Sequence, residues 1–164
     1  MSVYEYAMQL EKDGVNSYRE LVANCQIKDV KIILTMLANE KMKHFNTIAQ
    51  LQKHAGKYSL AETTVFEDVK NIFFRMKDEK TDIRFDSSDF EAFRKAMAIE
   101  KMSWEFYQEK AANAGDEDVK QIFWRLAGEG EKHFRIMENI VEFVSRSEPG
   151  NWLENFEWRY LGGY

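Results

Sequence analysis

The sequence holds one proline, at position 149, and one cysteine, at position 25. With a single proline and only eight thinly spread glycines, it lacks the turn chemistry that an all-β fold needs. Cys25 has no partner for an intramolecular disulfide, and no C-x-x-C pair exists to hold zinc, a rubredoxin-type iron or a reactive dithiol. No stretch of about 18 apolar residues is present, so no membrane-spanning helix is expected. The residues Met1, Ser2, Val3, Tyr4 and Glu5 offer neither a basic start nor an apolar core for a secretory leader, and a cytoplasmic protein is expected. Basic clusters are absent and the net charge is −5, which argues against nucleic acid as a partner.

What is present points to helices. Ala, Leu, Met, Glu, Lys and Gln dominate, and these are the strong helix formers. Hydrophobic residues make up 45% of the 164, enough for the core of one ordinary domain.

A long internal repeat organises the chain. Shifted by 89 positions, Asp29-Val30-Lys31 falls on Asp118-Val119-Lys120, Leu37-Ala38 on Leu126-Ala127, and Lys43-His44-Phe45 on Lys132-His133-Phe134. The same shift carries Ala7-Met8 to Ala96-Met97, Glu11-Lys12 to Glu100-Lys101, Tyr18 to Tyr107 and Glu40 to Glu129. One gapless offset over so many positions marks a duplicated unit.

Apolar spacing and punctuation divide each copy into two helices. The first pair is expected over 2–55, with helices from about Ser2 to Asn24 and from about Lys28 to His54, stopping at Gly56. The second pair is expected over 89–145, following the cap cluster Asp86, Ser87 and Ser88. Its first helix fades at Asn113 to Gly115, and Asp116 caps the next. Short connections make each pair an antiparallel hairpin. The intervening 56–88 is long enough to cross the bundle and should carry a short helix from Thr63 to Glu79. The expected fold is therefore an all-α four-helix bundle over 1–145, with one long crossover. The segment 146–164 carries Trp152, Phe156, Trp158, Tyr160 and Tyr164 and should dock on the bundle or on a second copy in a homodimer.

The core-facing seams are apolar except at their centres. One reads Val30, Leu34, Leu37, Lys41, His44, Ile48, Leu51, and its counterpart reads Val119, Phe123, Leu126, Gly130, His133, Met137, Ile140. The other two helices offer Ala7, Glu11, Gly14, Tyr18, Leu21, Cys25 and Ala96, Glu100, Ser103, Tyr107, Ala114. Glu11 and Tyr18, seven apart, fall about 20° short of two full turns and share a stripe. Four helices thus aim Glu11, Glu100, His44 and His133 at one level. Isolated buried carboxylates are costly, so such groups are paired or bind metal. Carboxylate oxygen with imidazole nitrogen suits a divalent ion.

The motifs A-x-x-x-E-x-x-x-x-x-x-Y (Ala7, Glu11, Tyr18; Ala96, Glu100, Tyr107) and L-A-x-E-x-x-x-H-F (Leu37 to Phe45; Leu126 to Phe134) resemble those of the rubrerythrin-like branch of the ferritin-like di-iron carboxylate proteins. The likeness covers 5–143 without the rubredoxin-like module, whose cysteines are missing. It implies a ferritin-like bundle with Glu11, His44, Glu100 and His133 at ligand positions. Tyr18 and Tyr107 would hydrogen-bond the ligand carboxylates. It further implies iron, two ions or one per chain. The implied activity is that of a di-iron oxidoreductase of peroxidase or ferroxidase type, acting on peroxide, oxygen or iron with an unnamed electron donor.

The pattern departs at two places. The family's Glu-x-x-His puts a Glu three residues before each His, where this chain has Lys41 and Gly130. Glu40 and Glu129 stand four before instead, about 40° to the other side of the imidazole rather than 60° to the first. They are flank candidates for metal ligation. The alternative is a metal-free bundle in which the Lys41 ammonium replaces the cation, Gly130 makes room for it, and the chain serves as a binding or assembly protein.

Overall fold

A computed structural model describes residues 2–53, 63–79 and 85–144. Five helices and no strand occur among the described residues: α1 Val3–Asn24, α2 Lys28–Lys53, α3 Val65–Asp78, α4 Ser87–Asn113 and α5 Glu117–Val144. The chain is an all-α bundle of the ferritin-like kind, with α3 in the crossover.

The helix starts are set by side chains that satisfy orphan backbone donors. Ser2 Oγ accepts from the Glu5 backbone N–H while Glu5 reaches back to the Ser2 N–H. Asp86 and Asp89 form the same reciprocal box, so α4 begins at Ser87, two residues before the expected 89. Asp116 Oδ1 accepts from the Val119 N–H at 3.1 Å, capping α5 as expected. The expected crossover helix is α3, one or two residues shorter at each end. The expected stop at His54 to Gly56 and the docking of 146–164 lie outside the described residues.

α1 packs most extensively on α2, and α4 on α5; the two hairpins meet chiefly through α1 and α4, and α3 lies against α2. Arg75 of α3 pairs with Asp29 at the start of α2. The Phe66 ring sits 6.0 Å from the His133 ring, and the Lys132 ammonium lies 4.6 Å over Phe66.

The expected seams are the buried faces, with three refinements. Val119 is only half-buried, Ala114 is half-buried, and Ala111, one turn earlier, is fully buried in its place. Apolar burial divides into two clusters. One gathers Leu21, Ile33, Leu34, Leu37, Phe73, Phe93 and Ile136. The other gathers Ala7, Ile48, Ala111, Ile122, Phe123 and Leu126. Each fully buried Leu or Ile contributes roughly 1.5–3 kcal/mol. Between the clusters lies a polar layer formed by Glu11, Lys41, His44, Glu100, Ser103 and His133, each at most 1% exposed.

Candidate functional site

The polar layer exists because the helical stripe interrupts its apolar residues at the same height on four helices. Glu11 comes from α1, Lys41 and His44 from α2, Glu100 from α4 and His133 from α5. The two tyrosines exchange partners between the hairpins. Tyr18 of the first donates to Glu100 Oε1 at 2.7 Å, and Tyr107 of the second donates to Glu11 Oε1 at 2.7 Å.

Lys41 stands between the two carboxylates. Its ammonium is 2.8 Å from Glu100 Oε2 and 3.5 Å from Glu11 Oε2. These contacts are ion pairs rather than directed hydrogen bonds, since neither Oε2 atom has a partner with hydrogen-bond angles. Gly14 makes the space. A Cβ there would lie 3.2 Å from Lys41 Cε and 3.3 Å from Cδ. The expectation that Gly130 leaves room for Lys41 is therefore corrected. A Cβ at Gly130 would meet Trp104 Cβ at 3.1 Å and the Trp104 backbone just beyond. Gly130 lets α5 approach α4, and the small residue facing the lysine comes from α1.

The two imidazoles stack in parallel, with ring centroids 5.9 Å apart. His44 Nδ1 faces Glu11 Oε2 at 3.5 Å, and His133 Nδ1 faces Glu100 Oε1 at 3.5 Å. Neither Nδ1 makes a hydrogen bond. His44 Nε2 points the other way, to Glu129 of α5. Glu40 lies beside this pair, and one ligand atom from each of Glu40, His44 and Glu129 falls within 4.8 Å of the others. The Thr63 hydroxyl, just ahead of α3, donates to Glu40 Oε1, and the Lys43 ammonium lies 3.9 Å away.

Charge settles which groups are ionised. Burial pushes the Glu100 carboxyl up, but Lys41 and His133 outweigh it and hold it at about 2. Glu11 is likewise lowered: burial opposes ionisation, and Lys41 and His44 overcome it. Burial works against the His44 imidazolium, yet Glu11 and Glu129 raise it to about 9. Lys41 also moves up, because Glu100 and Glu11 outweigh its burial. Glu129 is lowered, with His44 overcoming its burial. Both phenols rise well above their usual value through burial and the carboxylates beside them. They stay protonated donors.

The geometry sorts the expected residues into two groups. Glu11, Glu100, Lys41, Tyr18, Tyr107 and the Nδ1 edges of His44 and His133 form the inner cluster. Glu40, Glu129 and the Nε2 edge of His44 form a rim. A two-metal centre between Glu11 and Glu100 does not fit these residues, because an ammonium occupies that gap and positions 41 and 130 bring no carboxylate. The rim supplies three donors for one ion. Thr63 gave no signal in the sequence, because nothing in a crossover marks which helix it will touch. Gly14 was legible as a small residue on the stripe, but not as the neighbour of Lys41.

The rubrerythrin family model matches residues 3–141 of this chain. No curated protein and no solved structure matches it.

Proposed function

Because the chain belongs to the rubrerythrin family, a family of di-iron carboxylate proteins, we propose that it keeps the family's bundle while Lys41 serves as the permanent cation of its core. The chain then works as a binding protein and not as a two-iron oxidoreductase. The observation that carries this reading is the Lys41 ammonium, 1% exposed, set 2.8 Å from Glu100 and 3.5 Å from Glu11. A dication in the same gap would face a buried positive charge. At 4 Å that repulsion is several kcal/mol even at an effective dielectric of about 20. Ejecting Lys41 would in turn require somewhere to place its charge.

Iron content tests the reading. Protein purified without a His tag is loaded anaerobically with Fe(II) and desalted. Fewer than two irons per chain are expected. The Lys41→Glu variant should retain more metal than wild type, since it replaces the repelling charge with a ligand three residues before His44. Two retained irons in wild type would overturn the proposal.

A second reading is a metal-dependent oxidoreductase acting on peroxide, oxygen or iron. One observation favours it: Glu11 Oε2, His44 Nδ1, Glu100 Oε2 and His133 Nδ1 are all buried without a hydrogen bond. These are one atom from each of the four residues at the family's ligand positions. Under this reading the two-iron result appears, and peroxide consumption follows iron loading.

A further inference from the structure

We infer that the rim triad Glu40, His44 and Glu129 is a binding site for a single divalent transition-metal ion, displaced outward from the family's two-metal centre. The inference rests on the proposed reading in one respect, that Lys41 holds the inner cluster, and it names what the binding protein binds.

Three features carry it. The first is the donor set. Two carboxylates and an imidazole, with one ligand atom each inside a 4.8 Å span, are a borderline-hard set that suits Zn(II), Fe(II), Co(II) or Mn(II). Glu40 is 4% exposed and Glu129 9%, so the site is sheltered but reachable from the surface.

The second is the far side of the imidazole. A histidine that ligates metal through one ring nitrogen usually offers the other N–H to a carboxylate, which fixes its tautomer and orientation. His44 turns Nε2 to the rim and Nδ1 toward Glu11 Oε2 at 3.5 Å. Both inner atoms are buried and have no hydrogen-bond partner. An ion on Nε2 would leave the ring proton on Nδ1, where it faces Glu11 Oε2. Glu40 is oriented in the same manner by the Thr63 hydroxyl.

The third is charge. Glu11, Glu40, Glu100 and Glu129 bring four carboxylates to the layer and its rim, all at most 9% exposed. The basic groups beside them are Lys41, the imidazoles of His44 and His133 and, at Glu129, Arg125. Lys43 is 61% exposed and stands 3.9 Å from Glu40, which screens it only partly. Burying charge without a counter-charge is costly, and a dication at the rim would place positive charge directly between Glu40 and Glu129. The displacement follows from the sequence. With Glu four rather than three residues before each His, the carboxylates emerge on the flank of the helix, where Glu129 crosses from α5 to the outer edge of His44.

The probe is Co(II), titrated into metal-free full-length protein, with binding read by equilibrium dialysis and by visible d–d absorption. One ion per chain with a protein-specific absorption band is expected. Glu129→Gln, nearly isosteric, should weaken binding at least ~10-fold and alter the band. Glu40→Gln should do the same, and Glu138→Gln, on the exterior of α5, should change nothing. Circular dichroism confirms that each variant folds. Failure of wild type to retain Co(II) overturns the inference while leaving the Lys41 reading in place. Binding of two ions overturns both. One ion that survives Glu129→Gln but is lost in Glu11→Gln sits in the inner cluster, and also overturns both.

Discussion

Gly14 on α1 and Lys41 on α2 are fitted to one another, with the lysine methylenes lying where a Cβ on residue 14 would come within 3.2 Å. Replacing a mid-helix glycine by alanine ordinarily stabilises by about 1 kcal/mol. Here the gain is opposed by crowding against a side chain that two ion pairs hold in place. Gly14→Ala is therefore expected to be neutral or destabilising in wild type, and to stabilise by ~0.5–1 kcal/mol in a Lys41→Ala background. A double-mutant cycle from urea unfolding gives the coupling. Equal effects of Gly14→Ala in both backgrounds would show that the two residues are not coupled.

Removing the ammonium should be costly. Lys41→Met keeps much of the volume but leaves Glu11 and Glu100 facing each other across an apolar gap. Breaking a buried pair by deleting one partner typically costs 3–5 kcal/mol, and a loss of that order is expected in chemical denaturation at neutral pH. Acidification should recover part of it, as the carboxylates protonate. A variant as stable as wild type at pH 7 would mean that Lys41 is not the counter-charge.

The tyrosine hydroxyls hold the carboxylate oxygens that Lys41 does not. Tyr107→Phe strips Glu11 Oε1 of its donor, and Tyr18→Phe does the same to Glu100 Oε1. An unsatisfied buried acceptor costs about 1–3 kcal/mol. Each variant should lose that much by urea unfolding. Because both carboxylates share Lys41, the double variant should depart from the sum of the singles.

The metal-free protein should show a stability maximum in mildly acidic solution. Glu100 is depressed from 4.5 to about 2, so its contribution is complete above the unfolded value and is lost as pH falls toward 2. His44 is raised from 6.5 to about 9, so its contribution is complete below 6.5 and is lost as pH rises through 9. Together they favour the window between about 4.5 and 6.5. Thermal melts across pH 2 to 10 in the presence of chelator check this. A 1 kcal/mol change moves the midpoint by roughly 2–4 °C at this size. Midpoints that keep rising from pH 6.5 to 9 would contradict the His44 contribution.

The duplication and the buried seams were readable from spacing, because a helix imposes its period on every residue that must face the core, and the Asp116 cap of α5 was readable from its residue type. Glu11, Glu100, His44 and His133 were readable for the same reason, as polar interruptions at one height. The partners were not. Spacing places Glu129 on the flank of α5, but whether it turns to its own His133 or crosses to His44 depends on how two helices sit against each other. Likewise a glycine on a stripe announces a close neighbour without naming it. Gly130 proved to face Trp104, and Gly14 to face Lys41, because each small residue answers the helix packed against it and not its counterpart in the repeat.

The exchange of tyrosines between hairpins has one more implication. It is the pattern that two identical hairpins would make about a two-fold axis, each completing the other. Under strict symmetry, any residue at position 41 would appear twice in the core, and two ammonium groups facing each other in one buried gap would repel. Covalent fusion removes that restriction. Once the halves are written separately in one chain, a single cation can be placed in one half, with a glycine standing at its counterpart in the other. The lone Lys41 is a solution that only the tandem form of this bundle can reach.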